Sequence, residues 1–239
     1  MVILALDTST AAGSAAIARD GALLIERAGD AARTHGQRLP RELMSILDDA
    51  GVTLDTVGAF AVIVGPGSFT GLRVGIATIQ GLALARGARV VPVSAFEALI
   101  SSLKDVFRLK AEASYSAVWI DAHRKEVFAA LYAADGRTVI APPTSLPPDA
   151  TLAAWMGKIE TGARIQFIGD GAIRYADVIR ATLGERAVVA ESTPILAGAA
   201  ALIAAADPAR AVAPHALVPL YVRRSDAELA RDRRQLAKP

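Results

Sequence analysis

The chain has 239 residues, of which 53% are hydrophobic, 21% charged and 5% aromatic. This composition excludes a disordered chain, a collagen and a coiled coil, and it argues against an aromatic platform for single-stranded nucleic acid. The net charge is only +2, and the complete lack of cysteine excludes disulfides, zinc–thiolate sites and a cysteine nucleophile.

The chain opens with a predicted antiparallel meander of three strands. Residues 2–6 form a short aliphatic run that stops at the polar turn Asp7-Thr8-Ser9-Thr10. Residues 14–18 and 22–27 fit the next two strands, because Asp20-Gly21 between them is a strong hairpin signal. The polar turn is therefore expected at the end of the first strand.

Apolar residues at helical spacing between 39 and 50 predict an amphipathic helix that ends at Gly51. The start of this helix is open. Thr34 and Gln37 have the spacing of a capping box, which would place Pro40 inside the helix. Alternatively, Pro40 lies in the first turn of a shorter helix.

A glycine-rich segment joins the next strand to a second helix. Residues 59–64 predict a buried strand, and the turn 65–71 leads into a helix over 70–86 that is apolar nearly all round. This helix contains three glycines, each costing about 1 kcal/mol relative to alanine, so its backbone is expected to lie close to another segment. A strand over 90–93 and a helix over 94–103 follow.

The pattern then starts again. A strand over 117–120 ends at Asp121, a polar turn leads to a strand over 126–132, and Asp135-Gly136 is a second hairpin signal. The interval from the aspartate to the Asp-Gly pair is 13 residues in the first copy and 14 in the second. This similarity indicates a weak internal repeat of one supersecondary unit.

The remaining elements are less regular. Residues 138–148 are interpreted as a proline-rich loop and 165–168 as a strand. A helix is predicted from there to about residue 183, and another over 195–206.

We expect two α/β subdomains around a cleft, over residues 1–104 and 105–216, followed by a basic tail over 217–239. The tail holds six basic and three acidic residues. A solvated terminal segment and a contact with RNA or an acidic partner both fit this charge.

Two turns are candidates for binding a phosphate group. The candidate residues, all polar or glycine, are Asp7, Thr8, Ser9, Gly65, Gly67 and Ser68. The second turn would point backbone N–H groups inward at a helix start, but it is neither a Walker loop nor a nucleophile elbow. A turn that satisfies its own backbone, or tight packing of the helix, are the alternatives.

No metal site is predicted, because the three histidines are too far apart in sequence to pair on one helix. A charged turn at Asp121, Arg124 and Glu126 would face the cleft if the repeat is real. Otherwise these three residues would cap a sheet edge.

Taken together, these motifs resemble the bacterial TsaB (YeaZ-type) family, a subunit of the machinery that makes threonylcarbamoyladenosine in tRNA. The resemblance covers most of the chain. It is carried by residues 3–10 (ILALDTST), 34–40 (THGQRLP), 65–75 (GPGSFTGLRVG), Ser94, 121–122 with 126–128, and 219–223 (PLYVR). Residues 121–125 depart modestly from the usual pattern, and 169–183 match only loosely.

The resemblance implies an α/β fold of the actin-like ATPase type, a duplicated ribonuclease H-like unit with two subdomains. It also implies a non-catalytic scaffold or activator that dimerises with the catalytic sister, TsaD, which transfers a threonylcarbamoyl group to N6 of adenosine 37 in tRNA. No catalytic residue, cofactor or metal is carried over, because His35 has no second histidine one turn away. The other implied partner is the P-loop ATPase TsaE. Transfer RNA would be met indirectly or through the tail.

The resemblance places the pairing surface on two helices of the first subdomain, over residues 37–50 and 70–86. We expect them to bind the sister subunit, or a second copy when the chain is alone. The residues expected there are Leu39, Leu43, Ile46, Leu72, Arg73, Gly75, Ile76 and Ile79. An arginine at Gly75 is then expected to leave the chain folded but monomeric.

Two other functions stay open at this point. One is an active actin-fold enzyme, a kinase or a metallopeptidase-like hydrolase, and the other is a tRNA-binding module that relies on the tail. We expect ATP binding weaker than about 100 μM and no bound transition metal. With no signal segment evident and no apolar run long enough for a bilayer, we expect a cytoplasmic protein without a membrane contact.

Overall fold

The first sheet combines the predicted meander with two parallel strands. A computed structural model describes residues 1–103, 106 and 113–223. Strands β1 (Val2–Asp7), β2 (Ser14–Arg19) and β3 (Ala22–Ala28) are antiparallel neighbours, whereas β4 (Val57–Gly65) and β5 (Arg89–Ser94) extend the sheet parallel to β1. The strand order is β3-β2-β1-β4-β5.

The second sheet has the same topology. Its strands are β6 (Tyr115–Asp121), β7 (Val127–Ala133), β8 (Val139–Leu146), β9 (Ile165–Ile168) and β10 (Ala187–Val189), in the order β10-β9-β6-β7-β8. Again three antiparallel strands are followed by two that run parallel to the first of them. The predicted repeat is therefore confirmed as a duplicated five-stranded unit, and the two-subdomain α/β fold is confirmed with it.

Some helices cover the outer faces of the two sheets, and others lie between the sheets. The elements are α1 (His35–Asp49), α2 (Phe69–Arg86), α3 (Ala95–Ser101), α4 (Pro148–Met156), α5 (Asp170–Arg174), α6 (Ala176–Leu183) and α7 (Ala197–Ala206). Helices α1 and α2 pack on the outer face of the first sheet, and α4 and α6 on the outer face of the second. Helices α3 and α7 lie in the shared core between the sheets.

The period-two alternation of β1 places its residues in two different cores. Ile3 and Ala5 face the shared inner core, whereas Leu4 and Leu6 face α1 and α2. Helix α7 fits in the inner core because it is built almost entirely of alanine. Small side chains let its backbone approach the sheet closely.

The start of α1 settles the alternatives left open by the sequence. The helix begins at His35 and contains Pro40, and the N–H of Thr34 donates to Gln37 Oε1 at 3.2 Å. The longer helix, with Thr34 and Gln37 as its capping box, is therefore the alternative that the structure shows.

One helix packs across the predicted division between the subdomains. Residues 197–206 fall in the expected second unit, yet α7 packs on the first sheet. Its N-terminus is capped by the Oγ of Ser14, which accepts from the N–H groups of Leu196 and Ala197 at 3.3 and 3.0 Å. The chain thus returns to its first half after completing the second. Of the expected basic tail, residues 224–239 lie outside the described residues.

The prediction of a loop over residues 138–148 was wrong. This segment contains β8, an edge strand in which Pro142 and Pro143 are tolerated because one side of the strand has no ladder partner. Helix α4 and strand β10 were not predicted. The helix expected up to residue 183 is broken at Tyr175 into α5 and α6.

No helix in the described part of the chain combines the length and apolar character that a membrane crossing requires.

Candidate functional site

The turn after β1 is buried, and most of its polar groups pair within it, whereas Thr8 Oγ1 is buried without a hydrogen-bond partner. Asp7 is 3% exposed, and its carboxylate accepts the N–H of Ser9 at 2.7 Å. The N–H of Gly13 donates to Thr10 Oγ1 at 3.0 Å. Burial raises the pKa of Asp7 above its ordinary value, although the hydrogen bonds from Ser9 oppose the rise.

The glycine-rich turn packs directly on this first turn. The N–H of Ser68 donates to the carbonyl of Ser9 at 2.7 Å, and a Cβ at Gly67 would lie 2.6 Å from Ser9 Cβ. Ser68 caps α2 by accepting the N–H of Gly71 at 3.2 Å. Of the three helix glycines, Gly71 and Gly75 lie close to Thr8 as predicted, whereas nothing lies within 4 Å of a Cβ placed at Gly81 and the prediction was wrong there.

The structure thus brings together five of the six phosphate candidates, namely Asp7, Thr8, Ser9, Gly67 and Ser68. The N–H groups of Ser9 and Ser68 are used within the cluster. The sixth candidate, Gly65, lies under the C-terminal segment, where a Cβ would be 2.7 Å from the Leu220 carbonyl oxygen. Phosphate binding by this set stays a prediction, whereas its packing role is visible in the contacts.

The first turn of α1 holds the same loop from the other side. Arg38 is 3% exposed, and its guanidinium donates to the carbonyls of Ala11, at 3.2 Å, and Ala12, and to Glu42. Sequence reasoning missed this residue. The available signals were an arginine directly preceding the apolar stripe of α1 and a glutamate four residues after it.

His35 completes this contact as a neutral imidazole. Its Nδ1 lies 2.7 Å from an Arg38 nitrogen, and its Nε2 lies 3.0 Å from the Thr10 carbonyl oxygen. Because guanidinium can only donate, Nδ1 accepts and Nε2 carries the proton. Burial, together with the neighbouring charge of Arg38, lowers the pKa of His35.

The equivalent turn after β6 is charged and more open. Asp121 accepts the N–H of His123 at 3.0 Å and the guanidinium of Arg174 at 3.1 Å. Its own N–H donates to Asp170 Oδ1 at 2.9 Å. Residues 123–125 all have positive φ, near 55–65°. The sequence repeat therefore placed Asp121 correctly at the position that matches Asp7.

A cleft of about 350 Å³ separates the two subdomains. The glycine-rich turn, residues 66–70, forms one wall, and residues 121–123 with Phe128 form the other. Residues 220–223 line the cleft between these walls. Among the described residues, no group of three or more His, Asp or Glu side chains is arranged to hold a metal ion.

Seven of the eight residues expected at the partner interface are buried in the chain itself. Leu39, Leu43, Ile46, Leu72, Gly75, Ile76 and Ile79 face the first sheet or the first turn, and only Arg73 is exposed. The apolar stripe therefore forms core, because it covers the outer face of the sheet. The expected tolerance of Gly75→Arg is also wrong, since any Cβ there would collide with Thr8 Oγ1.

The outer face of these two helices consists of different residues. Met44 on α1 is 54% exposed and Leu84 on α2 is 75% exposed. Ala77 and Gly81 are exposed along α2 between Arg73 and Leu84. This stripe of small and apolar side chains is the exposed face of α1 and α2.

Comparison with known proteins adds an independent finding. The sequence profile of the family described as TsaD: tRNA N6-adenosine threonylcarbamoyltransferase matches residues 29–230. The structure is similar to YeaZ from Pseudomonas aeruginosa, with a TM-score of 0.73, 30% identity, and 92% of this chain and 99% of that chain covered.

Two curated relatives carry the name tRNA threonylcarbamoyladenosine biosynthesis protein TsaB. The Bacillus subtilis protein is 26% identical over 231 residues, which is 95% of this chain and 96% of that protein. The Escherichia coli protein is 38% identical over 135 residues, 56% of each chain.

Proposed function

From the premise that this chain belongs to the TsaD family, as a member of the TsaB (YeaZ) type, we propose that it is a scaffold subunit in threonylcarbamoyladenosine synthesis on tRNA. In this role it pairs with a TsaD-type catalytic subunit and has no catalytic residues of its own. A TsaE-type ATPase and tRNA join the assembly through that pair.

The exposed face of α1 and α2 is the observation that supports this role best. Arg73, Ala77, Gly81 and Leu84 form a continuous stripe on α2, and Met44 lies on the neighbouring helix. Small residues let a partner helix approach closely, and exposed leucine and methionine would be covered by that contact. A TsaD-type subunit is the occupant that the family match favours, and a second copy of this chain would cover the same face when it is alone.

The organisation of the first turn supports a non-catalytic role. The turn groups Asp7, Ser9 and Ser68 are engaged with one another, and Arg38 holds the carbonyls of residues 11 and 12. Such internal pairing stabilises a fold. These hydrogen-bond donors are therefore already paired within the chain and are not free to bind a substrate.

The substitution Gly81→Arg tests the proposed face. Nothing lies within 4 Å of a Cβ at Gly81, so the variant is expected to fold normally. Gly157→Arg is the matched control, because Gly157 ends α4 and also has open space around its Cβ. We expect Gly81→Arg to elute as a monomer, to lose co-purification with the TsaD-type subunit and to stop stimulating threonylcarbamoyl transfer.

The control variant is expected to behave like the parent in all three measurements. Pairing by Gly81→Arg at the parent's affinity would place the interface elsewhere. Loss of pairing with full transfer activity would overturn the scaffold role. Transfer activity of the chain without its partner would overturn the non-catalytic assignment.

A further inference from the structure

The last described residues of the chain cross the cleft between the subdomains. Leu217 is 5% exposed in the core formed with α1 and α2. The N–H of Leu220 donates to the Val64 carbonyl at 2.8 Å, and Arg223 reaches the second subdomain. We call residues 217–223 the C-terminal strap.

The strap is seated on the first subdomain by an aromatic contact. The rings of Tyr221 and Phe69 stack with centroids 5.2 Å apart at 29°. Arg73 donates from Nε to the Tyr221 hydroxyl at 3.1 Å, and its guanidinium lies 3.8 Å from the Phe69 ring centroid. Stacking and cation–π attraction both favour this arrangement.

The backbone of the strap also fits closely at the end of β4. Gly65 has φ +122°, and a Cβ there would lie 2.7 Å from the Leu220 carbonyl oxygen and 3.0 Å from Leu72 Cδ1. Only glycine adopts this backbone conformation without strain and leaves room for the strap. Gly65 therefore has a role in seating the strap that does not depend on phosphate.

The far end of the strap is fixed to the second subdomain. Arg223 donates to Glu126 at 3.2 Å and to the Ala122 carbonyl at 3.1 Å, and it lies over the Phe128 ring. Glu126 in turn accepts the hydroxyl of Ser145 at 2.6 Å. The Arg223 and Glu126 side chains are 29% and 31% exposed, so the ion pair is partly shielded from water.

We propose that the C-terminal strap is an intramolecular clasp. It lines the cleft and joins the two subdomains, so that it holds the glycine-rich turn and residues 122–128 together across the cleft. Its two anchors, residues 64–73 and 122–128, belong to different subdomains. The strap therefore links the two sheets directly. This inference goes beyond the proposed function and does not depend on it.

Amide hydrogen exchange on the full chain tests the clasp. We expect Arg223→Ala to speed exchange in peptides covering residues 122–128, and Tyr221→Ala to speed exchange over 66–72. The double variant is expected to accelerate both regions by about tenfold, because opening then costs less free energy in each. The control is Val218→Ala, in the same strap but 71% exposed, which is expected to leave both regions unchanged.

Faster exchange confined to residues 217–223 would overturn the clasp, as would an equal effect of Val218→Ala. Arg223→Lys serves as a second probe if the double variant does not fold. Lysine keeps the charge and loses the two-pronged donor, so the clasp requires intermediate exchange over residues 122–128. If both Arg223→Lys and Arg223→Ala exchange at the parent's rate over residues 122–128, Arg223 does not anchor the strap to the second subdomain.

Discussion

The turns that follow β1 and β6 occupy equivalent places in the two repeats, yet the arginine beside the first is buried and the arginine at the second is exposed. The first is sealed, with Asp7 buried and Arg38 closing over its carbonyls. The second is more open, because the Asp121 side chain is 9% exposed and its partner Arg174 is 62% exposed. The common topology brings an aspartate to the end of the first strand of each sheet, but it does not decide whether water reaches the turn.

The helix that follows each meander accounts for the difference. Helix α1 begins with a capping box and carries His35 and Arg38 on its first turn, where both touch the neighbouring loop. Its counterpart α4 begins at Pro148 without a capping side chain. Closure of the first turn therefore depends on two residues at the start of one helix, His35 and Arg38. The shared topology of the duplicated unit does not determine whether the turn is open to solvent or closed.

The largest expected effect comes from removing the group that seals the first turn. Arg38→Ala should lower the free energy of unfolding by about 3 kcal/mol, because Glu42 and two carbonyls lose a buried cationic partner. Arg174→Ala, the matched change at the second turn, should cost less, about 1 kcal/mol, because the Arg174 side chain is 62% exposed even though that of Asp121 is only 9% exposed. Urea denaturation of both variants measures the contrast, and equal losses would contradict it.

The second effect concerns the close approach of α2 to the first turn. Gly75→Ala should destabilise the chain by about 2 kcal/mol, because the new methyl group would collide with Thr8. Gly81→Ala makes the same change six residues later on the open side of the helix. It should stabilise by about 0.5–1 kcal/mol through helix propensity. Chemical unfolding should show changes in stability of opposite sign for the two variants. A gain in stability for both would mean that α2 can shift away from Thr8.

A smaller effect is expected at the two aspartates. Asp7→Asn keeps an acceptor for Ser9 and removes a buried charge, so stability at pH 7.5 should be equal or higher, by less than about 1.5 kcal/mol. Asp121→Asn should lower stability slightly, since it weakens the contact with Arg174.

The pH dependence of the Asp7→Asn variant gives a further check. Burial raises the pKa of Asp7 in the folded state, so the parent gains stability as pH falls from that pKa towards the ordinary carboxyl value. Any advantage of Asp7→Asn should therefore shrink in that range. An advantage that grows on acidification would show that the buried carboxylate is stabilised as an anion.

The smallest expected effect belongs to His35. Its pKa is lowered by burial and by Arg38, so the neutral form contributes stability above the ordinary histidine pKa. This contribution is lost as pH falls from about 6.5 through the folded-state pKa. Melting temperatures between pH 7.5 and 5.5 should fall more for the parent than for His35→Gln. Parallel curves would show that His35 does not titrate in this range.

The sequence predicted the parts of the fold that local signals determine. The Asp-Gly hairpins and the strand–aspartate repeat correctly indicated the duplicated unit, and the observed start of α1 is one of the two alternatives that the sequence left open, the one capped by Thr34 and Gln37. The proline-containing β8 was missed, because only its position at the sheet edge makes those prolines acceptable.

Predictions about the site were weaker, because they depended on which side of each helix is covered. Leu43 and Ile76 form an apolar stripe whether it faces the chain's own sheet or a partner, and periodicity cannot tell these apart. Arg38 was overlooked because only its pairing with Glu42 leaves a pattern in the sequence, whereas its contacts with the carbonyls of Ala12 and Ala11, 26 and 27 residues away, leave none.

Helix α7 has a consequence for how the chain is made. It fills the inner face of the first sheet, and Ser14 caps its start, although some 180 residues separate the two. On a ribosome the first 100 residues emerge with that face bare, and they must wait for residue 206 before it is covered. A fragment that ends before α7 should expose Ala5, Ala16 and Ala61 and aggregate, so neither repeat can be produced as an independent half by cutting the chain between the sheets.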